Sequence, residues 1–329
     1  MSEQNNALNA QGDLVVGVDG TVESFAALRW ALNQAVLSGQ SVNAVYGWSY
    51  SWDMGPEPQT EQEVAELRQK LADKLRTWVD TATQDIDIDI DIDNEHIKLT
   101  SFRASGASAL LEIGANAQQI VVGRRSMGRV ARWFAGSLSA SLAEESTVPV
   151  TVIRTASDED IDVQDQIANA LSPGDDQVHF VTPVAPTPRV VRPIVVGVDG
   201  SPTSQRALGF AARLAELNSA PLHVMFCWQL RDLGTVPGYE SSVAPMEVAQ
   251  RYAESIVKRM VDDSPMPAGL SVTPNAFHIS AGKGLVSASR YARHIVVGSR
   301  GLSGLDAHFL GSVSKQLLNS AECNLSIVH

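Results

Sequence analysis

The sequence predicts an α/β protein with two tandem domains, each built on a five-stranded parallel sheet with helices on both faces. The hexapeptide VVGVDG occurs at residues 15–20 and again at 195–200. The segments 102–123 and 277–298 both begin with Phe and end in IVVG, and a Gly-Ser pair follows each at the same distance. Self-similarity over so long a period indicates duplicated domains rather than a solenoid. Apolar runs that alternate with helix-like stretches favour parallel sheets with right-handed crossovers.

In the first half, strand-like and helix-like patterns alternate along the chain. The continuous apolar run 14–18 suits a strand that is buried on both faces. Residues 24–38 have apolar side chains at helical spacing, and Gly39 follows them as a capping residue. By the same criteria we predict strands at 41–48, 96–102, 120–123 and 148–153, and helices at 61–79, 108–116 and 137–145.

The second half repeats this order of elements. Its predicted strands are 194–198, 222–228, 272–279, 295–298 and 325–328, and its predicted helices are 204–217, 246–261, 285–291 and 312–320. We interpret the alternating Asp–Ile run 84–93 as an extended edge or a solvated loop. Residues 1–12 form a polar tail, and the acidic, proline-containing segment 155–190 is interpreted as a linker between domains at 13–154 and 191–329.

Composition and charge exclude several classes of protein. The formal net charge is -12, which argues against a general nucleic-acid or anionic-membrane binder because such proteins need a surplus of Lys and Arg. The two cysteines, Cys227 and Cys323, belong to no metal-binding pattern, so we expect no metal site and a reducing, cytoplasmic location. Cys227 lies on a predicted core strand and is interpreted as a small packing residue. No apolar run reaches the roughly 20 residues of a membrane helix.

The segment 298–314 is the most informative candidate site. It begins at the end of a predicted buried strand and ends in the first turn of a predicted helix, and we single out Gly298, Ser299, Arg300, Gly301, Gly304, Gly311, Ser312, Val313 and Ser314. Glycines let the backbone approach a ligand closely, and backbone N–H groups at a helix start favour phosphate. The alternative is a glycine-rich surface turn without a ligand.

The spacing Gly-x2-Gly-x9-Gly-Ser after an IVVG strand, together with the VVGVDG repeats, resembles the nucleotide-binding loop of tandem universal stress proteins. The resemblance implies an adenine nucleotide α-hydrolase-like, Rossmann-like fold that binds ATP with Mg²⁺. It implies that Asp199 contacts the adenosine part, that Gly197 leaves room for it, and that residues 298–304 wrap the ribose and phosphates. Ser312, Val313 and Ser314 would meet the phosphates. The alternative role for Asp199 is that of a carboxylate that caps a helix or stabilises a turn. The last strands of the two domains would pair, within one chain or in a homodimer.

The first half departs from this pattern at one glycine. Gly17, Asp19, Gly123, Gly136, Ser137, Leu138 and Ser139 keep the places of their second-half counterparts, but Ser126 stands where the second motif glycine would be. If that position needs a positive φ, a serine there costs about 1–2 kcal/mol. Arg124 and Arg125, with Arg129 and Arg132, are good phosphate partners by their chemistry. The first site is therefore either weakened or rebuilt around arginine, unless the arginines form a solvated or interface patch.

The resemblance implies an ATP-binding regulatory protein of the stress response rather than a dedicated enzyme. The sequence contains no GxxxxGK[ST] loop and no nucleophile elbow, and its histidines form no obvious catalytic set. We therefore expect at most slow ATP hydrolysis as a side activity. The alternatives are a dimeric scaffold that does not bind nucleotide and an adenylyl-transfer enzyme, although the HxGH and SGGxDS segments of such enzymes are absent.

Overall fold

A computed structural model describes residues 12–49, 58–84, 96–124, 137–155, 191–301 and 310–329. The chain divides into two compact units, and the one that holds the first half also includes residues 326–329. For description by sequence repeat, we call the described residues of 12–155 the first unit and those of 191–329 the second unit. The tail 1–11, most of the Asp–Ile run and the linker residues 156–190 lie outside the described residues, as do Arg125, Ser126, Arg129, Arg132, Gly136 and Gly304.

The first unit alternates strands and helices from its first element to its last. Its elements are β1 Leu14–Gly17, α1 Val22–Ser38, β2 Val42–Trp48, α2 Glu61–Gln84, β3 Ile97–Arg103, α3 Gly106–Gly114, β4 Gln119–Arg124, α4 Ser137–Glu145 and β5 Val150–Arg154. The strand order is β3-β2-β1-β4-β5, and neighbouring strands are parallel. Helix α1 packs on α2 and α3 packs on α4, so the helices cover both faces of the sheet.

The second unit repeats this arrangement. Its elements are β6 Ile194–Val198, α5 Pro202–Leu217, β7 Leu222–Cys227, α6 Met246–Asp262, β8 Val272–Phe277, α7 Ala281–Ala288, β9 His294–Gly298, α8 Ser312–Ser320 and β10 Asn324–Val328. Their order is β8-β7-β6-β9-β10, with parallel pairing of β6 to β7, β6 to β9 and β7 to β8. The predicted fold class and the predicted succession of elements are therefore confirmed.

The central strands are buried on both faces, which explains their unbroken apolar sequences. Val15 and Val16 in β1 are 2% and 0% exposed, and Val195 and Val196 in β6 are both 0% exposed. A parallel strand covered on both faces needs apolar residues at successive positions rather than alternate ones. Within the described part of the chain, no helix combines the length and the hydropathy needed to cross a membrane.

Most of the predicted boundaries are within two residues of the observed ones, and helix α7 is the main exception. The prediction of 285–291 was wrong, because the helix begins at Ala281 and ends at Ala288. Two glycines in its first turns, Gly282 and Gly284, have low helix propensity, so the sequence did not predict that the helix begins there. Helix α2 also runs on beyond the predicted residue 79 to Gln84. The predicted capping residue Gly39 is confirmed, with a left-handed φ of 72° at the end of α1.

Candidate functional site

The candidate site of the second unit lies at the carboxyl ends of β6 and β9, which are neighbours in the sheet. The chain leaves β6 towards β7 and β8 and returns on the other side of β6 as β9. In an open parallel sheet, such a reversal of strand order leaves a crevice beyond the strand ends. Asp199 directly follows β6, and Gly298 is the last residue of β9. The fold therefore brings together two segments that are about a hundred residues apart in sequence.

A tight turn fixes Asp199 at the end of β6. The backbone N–H of Ser201 donates to Asp199 Oδ1 at 3.0 Å, and Gly200 between them has a φ of 86°. Ser201 caps helix α5, where its hydroxyl oxygen accepts from the N–H of Ser204 at 3.1 Å. One carboxylate oxygen of Asp199 thus serves the turn, as the alternative interpretation of this residue predicted.

The other carboxylate oxygen of Asp199 faces the glycine loop. A Cβ added at Gly301 would run into Asp199 Oδ2, so a side chain at this position would displace the carboxylate. Gly301 does not have a positive φ. The positive φ that would make a serine costly at the matching position of the first half is therefore not found at Gly301, where an added side chain would instead meet Asp199.

Gly298 and Gly197 also lie where an added side chain would meet close neighbours. A Cβ at Gly298 would lie 2.9 Å from Thr203 Cγ2 and 3.1 Å from the carbonyl oxygen of Arg300. A Cβ at Gly197 would lie 2.7 Å from Leu285 Cδ1. Gly197 therefore allows helix α7 to pack on β6, and its predicted role of leaving room for a ligand stays a prediction.

Two hydrogen bonds tie the first turn of α8 to the end of β9. The N–H of Gly311 donates to the carbonyl oxygen of Ser299 at 2.8 Å. The hydroxyl of Ser314, which is 2% exposed, donates to the carbonyl oxygen of Gly298 at 2.8 Å. Because this hydroxyl is engaged, we expect Ser314 to serve a ligand through its backbone N–H. Ser312 is exposed and Val313 is half-buried.

The start of α8 is suited to an anion. Gly311 is the capping residue, and no side chain caps the helix there. The first N–H groups of a helix have no intrahelical partner, and the helix dipole favours negative charge at this end. Ser299 is buried and Arg300 is half-buried on the connection that leads from β9 into the loop. Backbone donors, a hydroxyl at Ser312 and a carboxylate at Asp199 thus meet at one end of the sheet.

The first unit has the same strand order and similar close contacts at its glycines, but different residues at the strand ends. A Cβ at Gly17 would lie 2.9 Å from Leu110 Cδ1, as Gly197 meets Leu285, and a Cβ at Gly123 would run into the carbonyl oxygen of Glu23. Asp19 is exposed, and its Oδ1 accepts hydrogen bonds from Thr21 N at 3.1 Å and from Thr21 Oγ1 at 2.6 Å. Helix α4 begins at Ser137 and contains Leu138 and Ser139 in its first turn.

The structure adds one residue that the sequence interpretation missed. Arg124, the last residue of β4, lies in register with Arg154, the last residue of β5. Both are half-buried. The signal that could have found Arg154 is its position in the repeat, because it ends the strand that directly follows the Gly-Ser helix.

Burial shifts the pKa of two titratable groups in the second unit, Cys227 and His294. Burial raises the pKa of the Cys227 thiol to about 11, and its sulfur packs against Gly284, which confirms Cys227 as a packing residue. Burial, and after it the charge of Arg293, lower the pKa of His294 to about 3. Among the described residues, no three His, Cys, Asp or Glu side chains come together as a metal site.

Comparisons with known proteins agree with this fold and its duplication. The model of the universal stress protein family matches residues 12–154 and 191–329. The chain is 27% identical over 316 residues to universal stress protein Rv2005c of Mycobacterium tuberculosis, covering 94% of this chain and 95% of the relative. A crystal structure of a universal stress protein from Archaeoglobus fulgidus has the same fold, with a TM-score of 0.57, 15% identity and coverage of 96% of both chains.

A shorter protein of Archaeoglobus fulgidus, a universal stress protein solved in complex with dAMP, also matches. It is 22% identical and covers 43% of this chain and 99% of its own, with a TM-score of 0.29.

Proposed function

The chain belongs to the universal stress protein family, and from that premise we propose that its second unit binds ATP with Mg²⁺ as a regulatory ligand. The contact between Asp199 and Gly301 carries the proposal. It brings the carboxylate at the end of β6 against the glycine loop that leads to the start of α8. A nucleotide needs a polar group for its nucleoside part and anion donors for its phosphates, and this crevice offers both.

The phosphates would be held mainly by backbone groups. The N–H groups of Ser312, Val313 and Ser314 lie in the first turn of α8, where the two hydrogen bonds to the end of β9 hold the helix start in place. A phosphate at a helix N-terminus gains from these donors and from the helix dipole. Mg²⁺ would be coordinated mostly by phosphate oxygens and water, which is its usual preference at nucleotide sites.

We propose a regulatory role rather than a catalytic one. Binding of ATP would shift the population of conformations that a signalling partner meets. Asp199 has one oxygen committed to the turn at Ser201, so it is better placed to orient a ligand than to move protons. Hydrolysis of ATP would then be slow and incidental.

The proposal is tested with a Gly301→Ala variant of the full chain, titrated calorimetrically with ATP and Mg²⁺. The added methyl group would push the Asp199 carboxylate aside, so we expect ATP affinity at the second unit to fall at least about tenfold, or about 1.4 kcal/mol. Only the end of a flexible side chain has to move, so the thermal midpoint should change little.

Gly106→Ala is the matched control for this experiment. A Cβ at Gly106 would meet only Leu138 Cδ1 at 3.8 Å, an ordinary contact in the first unit, so ATP affinity at the second unit should be unchanged. The proposal fails if the wild-type chain binds no ATP at millimolar concentration, or if Gly301→Ala binds it as tightly as the wild type does.

A further inference from the structure

Two arginines end neighbouring parallel strands in the first unit. Arg124 of β4 and Arg154 of β5 are register partners. Neighbouring strands lie about 4.8 Å apart, and residues in register direct their side chains to the same face of a sheet. The two guanidinium groups therefore start from adjacent positions on one face, at the carboxyl edge where the crevice of this fold lies.

This pair lies beside the first unit's crevice. Val16 of β1 is the register partner of Val121 of β4, and Arg124 follows Val121 by three residues, as Asp19 follows Val16. Arg124 is thus level with Asp19, at the point where strand order reverses between β1 and β4. A ligand in the crevice would meet Arg124 first and Arg154 one strand further out.

The charges at this edge favour an anion. Like charges on directly adjacent strand positions repel each other, and an anion that contacts both of them would reduce that repulsion. Each arginine already has an interaction within the protein. A guanidinium group has five N–H donors, however, and its fork matches phosphate oxygens in pairs.

The second unit does not share this feature. The residues at the matching places in the repeat are Ser299, directly after the IVVG strand, and His329, the last residue of the chain. Ser299 is buried, and its carbonyl oxygen accepts from Gly311. The second unit thus has a small neutral side chain at this position, whereas the first unit has a cation there.

We propose that Arg124 and Arg154 form a phosphate subsite that binds the phosphate chain of a nucleoside triphosphate in the first unit. This inference rests on the proposed nucleotide binding of the protein and extends it to the half of the chain that lacks the second motif glycine. The first unit would bind phosphate through side-chain charge, whereas the second unit binds it through backbone donors. Arg154 is the binding residue that this proposal adds.

The test is calorimetric titration of the full chain with ATP, AMP and inorganic triphosphate, for the wild type and for Arg154→Gln. Two classes of ATP site are expected in the wild type. Arg154→Gln should weaken one class at least about tenfold and leave the other unchanged, since charge-assisted bonds to phosphate are lost. The same variant should reduce the preference for ATP over AMP at the weakened class and lower the affinity for inorganic triphosphate.

Two further variants separate this proposal from a general effect of charge or of folding. Arg154→Lys keeps the charge but loses the fork, so its affinity should lie between those of the wild type and Arg154→Gln. Arg103→Gln removes an exposed arginine that ends β3, three strands away from β4, and should leave every affinity unchanged. An equal loss in Arg103→Gln, or unchanged binding in Arg154→Gln, overturns the proposal.

The probes also distinguish the two proposals from each other. If ATP binds a class of sites that Gly301→Ala weakens, while Arg154→Gln changes nothing, the arginine subsite fails and the nucleotide function stands. If no adenine nucleotide binds, but inorganic triphosphate binds and is lost in Arg154→Gln, the anion subsite stands and the nucleotide function fails.

Discussion

At the scale of single residues, each motif glycine of the second unit avoids a different contact. Gly298 avoids Thr203 and the carbonyl oxygen of Arg300, Gly301 avoids the Asp199 carboxylate, and Gly311 lies where a Cβ would be 3.2 Å from the carbonyl oxygen of Ser299. The spacing of the motif therefore reflects three close approaches of the loop to the strand ends. The sequence could single out these glycines, but only the fold shows which atoms each of them approaches.

The buried His294 makes the stability of the second unit sensitive to acid. Its pKa is lowered to about 3 by burial and by Arg293, whereas histidine in an unfolded chain has a pKa of about 6.5. Below that pH the unfolded state takes up a proton that the folded state does not, so the folded state loses stability as pH falls. We expect a loss on the order of 2 kcal/mol by pH 5.

The matched variant for this prediction is His294→Gln, because Gln119 occupies the same place before the IVV run of the first unit. Urea unfolding of the second unit at pH 7.5 and pH 5 measures the effect. The free energy of unfolding should fall less steeply with acid in the variant than in the wild type. If the free energy of unfolding falls equally between pH 7.5 and pH 5 in the two proteins, His294 takes up its proton in the folded state.

At the scale of elements, the two units differ in which partner of one helix–strand contact carries the small residue. Helix α3 approaches β2 where Gly47 faces it, and a Cβ at Gly47 would lie 2.8 Å from Gly106 Cα and 3.0 Å from Ala109 Cβ. In the second unit the small residue is on the helix, because a Cβ at Gly284 would lie 2.6 Å from Cys227 Sγ. Each pairing leaves room for one side chain only.

This exchange predicts a compensating pair of substitutions. Gly284→Ala alone overpacks the contact with Cys227 and should destabilise the second unit by about 1–3 kcal/mol. Adding Cys227→Gly recreates the arrangement of Gly47 and Ala109. The double variant should therefore be more stable than the sum of the two single changes by at least about 1 kcal/mol, as measured in a double-mutant cycle by urea unfolding. Additive effects would contradict the idea that the two residues share one space.

The elements show how far the sequence alone could be interpreted. The buried strands were predictable because two covered faces demand continuous apolar runs, and α1 was predictable from its apolar spacing and from Gly39. The start of α7 was not predictable from the sequence. Its two glycines allow close packing against β7 and α8, and this packing exists only in the assembled sheet. Arg154 was missed for a similar reason, since its partnership with Arg124 depends on strand register.

At the scale of the whole molecule, two units share one strand order but differ at the crevice. In the first unit a Cβ at Gly20 would lie 2.6 Å from Trp78 Cε2, whereas the space around the matching Gly200 is open. Asp19 is exposed and Asp199 is half-buried. These differences favour the proposal that the second unit is the principal nucleotide site. The domain boundaries, the cytoplasmic location and the pairing of the last strands stay predictions.

The most direct test of that central claim is the nucleotide that the full chain retains. The protein is purified natively and denatured, and the released nucleotide is identified by mass spectrometry, for the wild type, Gly311→Val and Gly136→Val. A Cβ at position 311 would lie 3.2 Å from the carbonyl oxygen of Ser299, a tight contact, and the branched side chain of valine adds further bulk at the helix start. We predict that ATP is retained by the wild type and by Gly136→Val and is largely lost in Gly311→Val. Equal retention in Gly311→Val, or no nucleotide in the wild type and no binding of added ATP with Mg²⁺, would contradict the account.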